Sequence, residues 1–143
     1  MSKSLRGLVV FHANDASFRD TTFFTKGRED KVIELFNDSQ YQPAAHLGSK
    51  FGLEDVFRAT NHIDSAWTEN PGVREINKDT RKRSTSVGDI VLDASERKAY
   101  VVASFGFEPL DVEKMNFDEQ IGFAQNGIRK DQQRENSLGR SMG

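Results

Sequence analysis

Between Val87 and Phe107 two runs of β-branched and aromatic residues flank a short polar stretch, and no other segment restricts the fold as much. Val87-Gly88-Asp89-Ile90-Val91-Leu92 has the composition of a strand, Asp93 to Lys98 that of a polar turn, and Ala99 to Phe107 that of a longer returning strand. Side chains alternate faces along a strand, so Val101, Ala103, Phe105 and Phe107 are expected on the core side. Tyr100, Val102 and Ser104 form the other face, which is only half polar and so needs partial cover from a helix. Gly106 suggests a bulge or a close backbone approach, and Pro109 is expected to end the strand. Arg83 to Leu110 is therefore read as a β-hairpin at the centre of a small sheet.

Around this hairpin the pattern is mixed. Leu8-Val9-Val10-Phe11 reads as a first strand, ended by the polar residues His12 to Asp15. Phe18, Phe23 and Phe24 fit either a second edge strand or an apolar loop over the core. Glu29 to Phe36 has apolar residues at helical spacing and two acids in its first turn, where the helix dipole favours them. Tyr41 to Leu47 carries a proline near its start and fits an edge strand or an extended connector. A second helix is predicted from Leu53 to Thr60, with Leu53, Val56, Phe57 and Thr60 on one stripe and Gly52 or Ser49 at its start. Ile63 to Ser84 reads as a long, partly ordered loop with a turn at Pro71-Gly72. After Leu110 a short helix containing Met115, Phe117, Ile121 and Phe123 is expected, followed by a polar, partly disordered tail from Gln125 to Gly143. The fold class is thus α+β: a small antiparallel sheet packed by two or three helices. One domain is expected over residues 1–110, with the short helix and tail occupying 111–143.

Composition narrows the chemistry. The 143 residues contain no cysteine, which excludes disulfides, thiolate metal sites and a cysteine nucleophile. The opening residues have no apolar stretch of signal-peptide type, so a cytoplasmic setting without membrane association is expected. The formal net charge of −2 argues against a general affinity for nucleic acid. His12, His46 and His62 do not stand at metal-ligand spacing. Neither Gly-x-Ser-x-Gly nor a phosphate-cradling glycine loop is present, and the hydroxyls of Ser84-Thr85-Ser86 read as backbone partners at a strand entrance. No catalytic residue, cofactor site or metal site is therefore assigned.

The one charged concentration lies between Gly72 and Arg83, where five basic residues stand against two acids. Arg74, Lys78, Arg81, Lys82 and Arg83, with Trp67 upstream as a stacking surface, form the candidate interaction site. Such a segment suits an acidic protein surface or the phosphates and bases of nucleic acid, and equally a solvated loop that keeps the protein soluble. An uncovered edge at Tyr41 to Leu47 would also invite strand pairing, including between copies of the chain.

The order of several short motifs resembles the YodL-like domain. These are Leu53-Glu54-Asp55-Val56-Phe57, then Asn61, then Arg83-Ser84-Thr85-Ser86-Val87-Gly88-Asp89-Ile90-Val91-Leu92, and finally Tyr100-Val101-Val102-Ala103-Ser104-Phe105-Gly106-Phe107. The resemblance covers Leu53 to Leu110. It implies an accessory protein of phages or other mobile elements that binds a host or viral macromolecule, foremost a protein, in an anti-defence or host-takeover role. It brings no catalytic residues. A nucleic-acid-binding module using the Trp67–Arg83 segment, and a small hydrolase or nuclease, are the competing readings. Within the motif, Gly88 is expected to permit a bulge and Asp89 to bond to backbone or to a neighbouring strand.

Overall fold

In the computed structural model of the chain, which describes residues 5–14, 29–48, 51–60, 72–76, 85, 87–103 and 106–142, every residue of the first strand (β1, Leu8–Ala13) is buried. The strand therefore runs through His12 and Ala13, which the polar composition had suggested would end it. A strand buried on both faces needs cover on both, and three helices supply it: α1 (Glu29–Asn37), α2 (Leu53–Ala59) and α3 (Phe117–Met142).

Among the described residues six strands form one antiparallel sheet in the order β3-β2-β1-β4-β5-β6, with β2 at Tyr41–Leu47, β3 at Val73–Glu75, β4 at Ile90–Asp93, β5 at Lys98–Val102 and β6 at Phe107–Leu110. The α+β class is as expected. On one face Val9, Phe11, Ile90, Leu92 and Val101 pack against Val32 and Phe36 of α1 and Phe117, Ala124 and Ile128 of α3. On the other, Leu8, Val10, Leu47, Val91 and Val102 pack against Val56 and Ala59 of α2. The half-apolar second face of β5 is covered by a helix, as the alternation required.

The central hairpin is present but its second limb differs. β5 stops at Val102, the chain reverses, and residues 107–110 return as a separate strand with Val102 opposite Phe107. Gly106 permits this reversal with a φ of 85°, and the amide of Ala103 donates to its carbonyl at 2.9 Å. The reversal places Phe107 on the α2 side while Val101 and Ala103 stay on the α1/α3 side, so the single parity predicted for all of them fails. Pro109 does not end a strand. It sits, exposed, inside β6, an edge strand whose outer side needs no proline N–H. The turn before β5 is set locally: Asp93 Oδ1 accepts from the amides of Ser95 and Glu96, each at 3.0 Å.

β2 is not an edge strand. Its second half pairs with β1 on one side and β3 on the other, and β3 lies within the stretch read as a loop. A bulge at Ala44 reconciles Pro43 with this position, because Val10 pairs with Ala45 but Phe11 with Pro43. The extra residue switches faces, so Tyr41 points to the α1/α3 core and Ala45 and Leu47 to the α2 core. α2 begins at Gly52, whose amide donates to Asp55 Oδ2 at 2.9 Å, rather than at Ser49.

The helix after Leu110 is longer than predicted, reaching Met142, and its residues Phe117, Ala124 and Ile128 belong to the same core as the sheet. Among its residues with described burial, the buried positions Phe117, Gln120, Ala124, Gly127, Ile128 and Asp131 keep helical spacing, yet only two are large and apolar. That is why hydropathy underestimated it. Expectations for Phe18, Phe23, Phe24, His62 and Phe105 lie outside the described residues.

Phe36 is fully buried where α1 meets the sheet, edge-on to Phe11 with ring centroids 5.4 Å apart and tilted against Tyr41 at 6.0 Å. Phe36→Ala is expected to cost about 3–5 kcal/mol in chemical denaturation, as a cavity opens beneath α1.

Candidate functional site

Two places concentrate polar side chains that a plain core would not contain. The first is a buried joint where the segment before β4 crosses the ends of β1 and β2. His12 lies on the α2 side of β1, and its Nε2 is 2.9 Å from the Thr85 hydroxyl. The Thr85 amide donates to the carbonyl of Thr60, the residue that closes α2, and the Thr60 hydroxyl donates to the Val56 carbonyl at 2.7 Å. Asp89 Oδ1 accepts the Ala13 amide at 2.9 Å, and the Tyr41 hydroxyl donates to the Gly88 carbonyl at 2.6 Å. One short segment is thus tied to β1, β2 and α2 together.

Local sequence explains the shape of this joint. Gly88 has a φ of 95°, a conformation that other residues reach only with strain, and it turns the chain so that its amide donates to Val102 while the Val102 amide donates to the Asp89 carbonyl. The expected roles of Gly88 and Asp89 are met: the left-handed glycine and Asp89 together face Val102, the pattern of a glycine bulge, and the aspartate side chain bonds to backbone on a neighbouring strand. His12, expected among the polar residues that end the first strand, is instead only 7% exposed, and Thr85 only 2%.

A hydroxyl beside an imidazole has the outline of an activated nucleophile. Here both groups are packed inside the protein, and their bonds lead to a helix end and a strand, so the pair acts as a clamp between elements. His46 lies elsewhere, its Nε2 against the Arg6 carbonyl. Among the described residues no group of three His, Cys, Asp or Glu side chains gathers where it would hold a metal ion.

The second place is the β3 edge. Of the predicted interaction residues, Arg74 is described: it is exposed at the middle of β3, opposite His46 of β2. Trp67, Lys78, Arg81, Lys82 and Arg83 lie outside the described residues. Ile76, next to β3, is fully buried and its amide donates to the Ala44 carbonyl at 2.9 Å, so this edge is anchored at the core. Sequence reasoning counted Arg74 as a loop residue because a strand of three residues leaves too short an alternation to detect. It missed the joint because His12 and Thr85 stand 73 residues apart. No protein-family model matches this chain, and neither a curated protein nor a solved structure shows detectable similarity to it.

If the joint clamps the fold, Tyr41→Phe is expected to lower stability by about 1–2 kcal/mol, because the buried Gly88 carbonyl loses a donor. Gly88→Ala is expected to cost about 1 kcal/mol or more through its positive φ. Urea unfolding of each variant measures both, and a neutral result for Tyr41→Phe would rule out the clamp.

Proposed function

We propose that this protein is an accessory factor of a phage or mobile element that binds a host or viral protein, in an anti-defence or host-takeover role, through the β3 edge and the Trp67–Arg83 segment around it. The observation that carries the reading is the position of Arg74: an exposed cation at the centre of a three-residue strand, outermost in the sheet order and anchored to the core by its neighbour Ile76. An edge strand offers backbone groups to an incoming strand, and a cation on it favours an acidic partner. The basic excess between Gly72 and Arg83 extends the same charge along the sequence.

The resemblance to the YodL-like domain supports the mobile-element part of the reading. Its central motif falls on the turn at Gly88 and on Asp89, which build the buried joint. The motif therefore speaks for a shared way of folding, and the partner must be recognised elsewhere on the surface. A cytoplasmic place of action accords with the absence of cysteine. No helix among the described residues is long and apolar enough to cross a membrane.

Affinity purification from the host cell, with the wild type beside Arg74→Glu, tests the proposal. The wild type is expected to retain one specific protein, and the charge reversal to weaken that complex by about tenfold or more. Circular dichroism should show both folded, since the position is exposed. Recovery of nucleic acid instead, with affinity falling steeply as salt rises, would replace the protein partner with a polynucleotide.

A further inference from the structure

Among the described residues the sheet ends in two edge strands, and they differ in what they offer an incoming strand. β6 lies at one edge and holds Pro109. The Ala103 amide donates to the Gly106 carbonyl, which sets the alternation of the β5–β6 ladder. Glu108 and Leu110 therefore bond inward to β5, while Phe107 and Pro109 turn their backbone groups outward. Proline has no N–H, so this edge lacks a donor where a neighbour would need one. β3 is built differently. The Ile76 amide donates to the Ala44 carbonyl, so by the same alternation Arg74 bonds inward to His46, and Val73 and Glu75 turn outward. Of the two edges, β3 is the one whose outward positions all carry an N–H.

The register also places the side chains. His46 stands between Val9 of β1 and Arg74 of β3, so the three form one row across the sheet. Val9 belongs to the α1/α3 core, which puts His46 and Arg74 on that face, whereas Val73 packs on the α2 side. Arg74 is exposed, and the ion pairs among the described residues, Arg97 with Asp118 and Lys114 with Asp30, do not include it. The residues behind it in the row, His46 and Val9, carry no negative charge. Because Arg74 bonds inward, it forms a non-hydrogen-bonded pair with whatever faces it from outside. In such a pair the side chains approach most closely, with Cα atoms about 4.5 Å apart.

Two copies joined antiparallel through β3, with the twofold axis at its centre, would set Arg74 against Arg74 in that close pair. Like charges directly opposite each other destabilise a sheet. A slip by one residue turns the side chains to the wrong face, and a slip by two leaves one residue of each three-residue strand facing the other. We propose that the outer edge of β3 accepts an antiparallel strand that sets an aspartate or glutamate opposite Arg74, and that the same arginine refuses a second copy of the chain. This binding mode rests on the reading of β3 as the contact edge, and it narrows the partner to an extended segment with an acid at one fixed position.

Mixing the wild type with Arg74→Glu tests the mode, because the mixed pair sets a carboxylate opposite Arg74 on an otherwise identical edge. Sedimentation equilibrium is expected to show the equimolar mixture associating about tenfold or more tightly than either protein alone, with the gain shrinking as salt rises. Hydrogen exchange at the Val73 amide should slow in the mixture, since that group turns outward. Arg74→Thr removes the repulsion without supplying a charge, and alone it should associate more tightly than the wild type. Circular dichroism checks that each variant is folded. The proposal fails if the mixture is no tighter than the wild type alone, if Arg74→Thr gains nothing, or if association leaves Val73 exchange unchanged. A mixture that pairs while no host protein is retained removes the accessory-factor reading and leaves this one standing. A retained host protein beside a mixture that does not pair does the reverse.

Discussion

The rest of the molecule is organised by the need to cover β1 on both faces. All six of its residues are buried, so no side of this strand is left for water. Antiparallel sheets often keep one face wet, but this one cannot, and helices must be supplied from distant parts of the chain. α1 follows β1 closely in sequence and α3 comes from the C-terminal region, yet both pack on the face of Val9 and Phe11. α2 takes the opposite face, over Leu8 and Val10. The two clusters lie on opposite faces of the sheet, so β1 and its neighbour β4 carry both at once.

Covering both faces raises a second difficulty, because every polar group near the sheet ends must then find a partner inside. The joint around His12, Thr85, Asp89 and Tyr41 answers it. Backbone groups at the end of β1 and at the Gly88 turn are satisfied by side chains, which also fixes the path of the segment leading into β4. The bulge at Ala44 contributes to the same arrangement. Without the face switch it produces, Tyr41 would point toward α2 and its hydroxyl could not serve the α1/α3 side. At the far end of the sheet the helix contacts are more open to solvent. Arg97 lies over the Phe117 ring at 4.9 Å and pairs with Asp118, an exposed pair that orients more than it stabilises. Asn37 links the end of α1 to the approach to α3 through the Lys114 carbonyl and the Asn116 amide.

The candidate contact edge follows from where this cover is incomplete. β3 is the outermost strand on one side and presents Arg74. Arg74 was readable as a site residue from the chain alone. It was recognised as part of a basic concentration, which is a matter of local composition. That it stands on a strand depends on which segment lies beside it.

What the sequence by itself determined is the set of local preferences. Alternation marked β4 and β5, helical spacing marked α1 and α2, Asp93 marked a turn and Gly88 a bulge, because each depends on residues a few positions apart. It also determined the α+β class, since strands and helices are both specified that way. The tertiary structure decided the rest. It split the long returning strand at Gly106, placed Pro109 and Pro43 inside strands, drew β3 out of an apparent loop, and built α3 on a stripe with few large apolar residues. For Pro43, β3 and α3 the deciding contact joins residues far apart in the chain, whereas the hairpin that holds Gly106 and Pro109 is closed by near neighbours. A proline is tolerated or a weak stripe is buried only when the neighbouring element is in place, and no local pattern contains that neighbour.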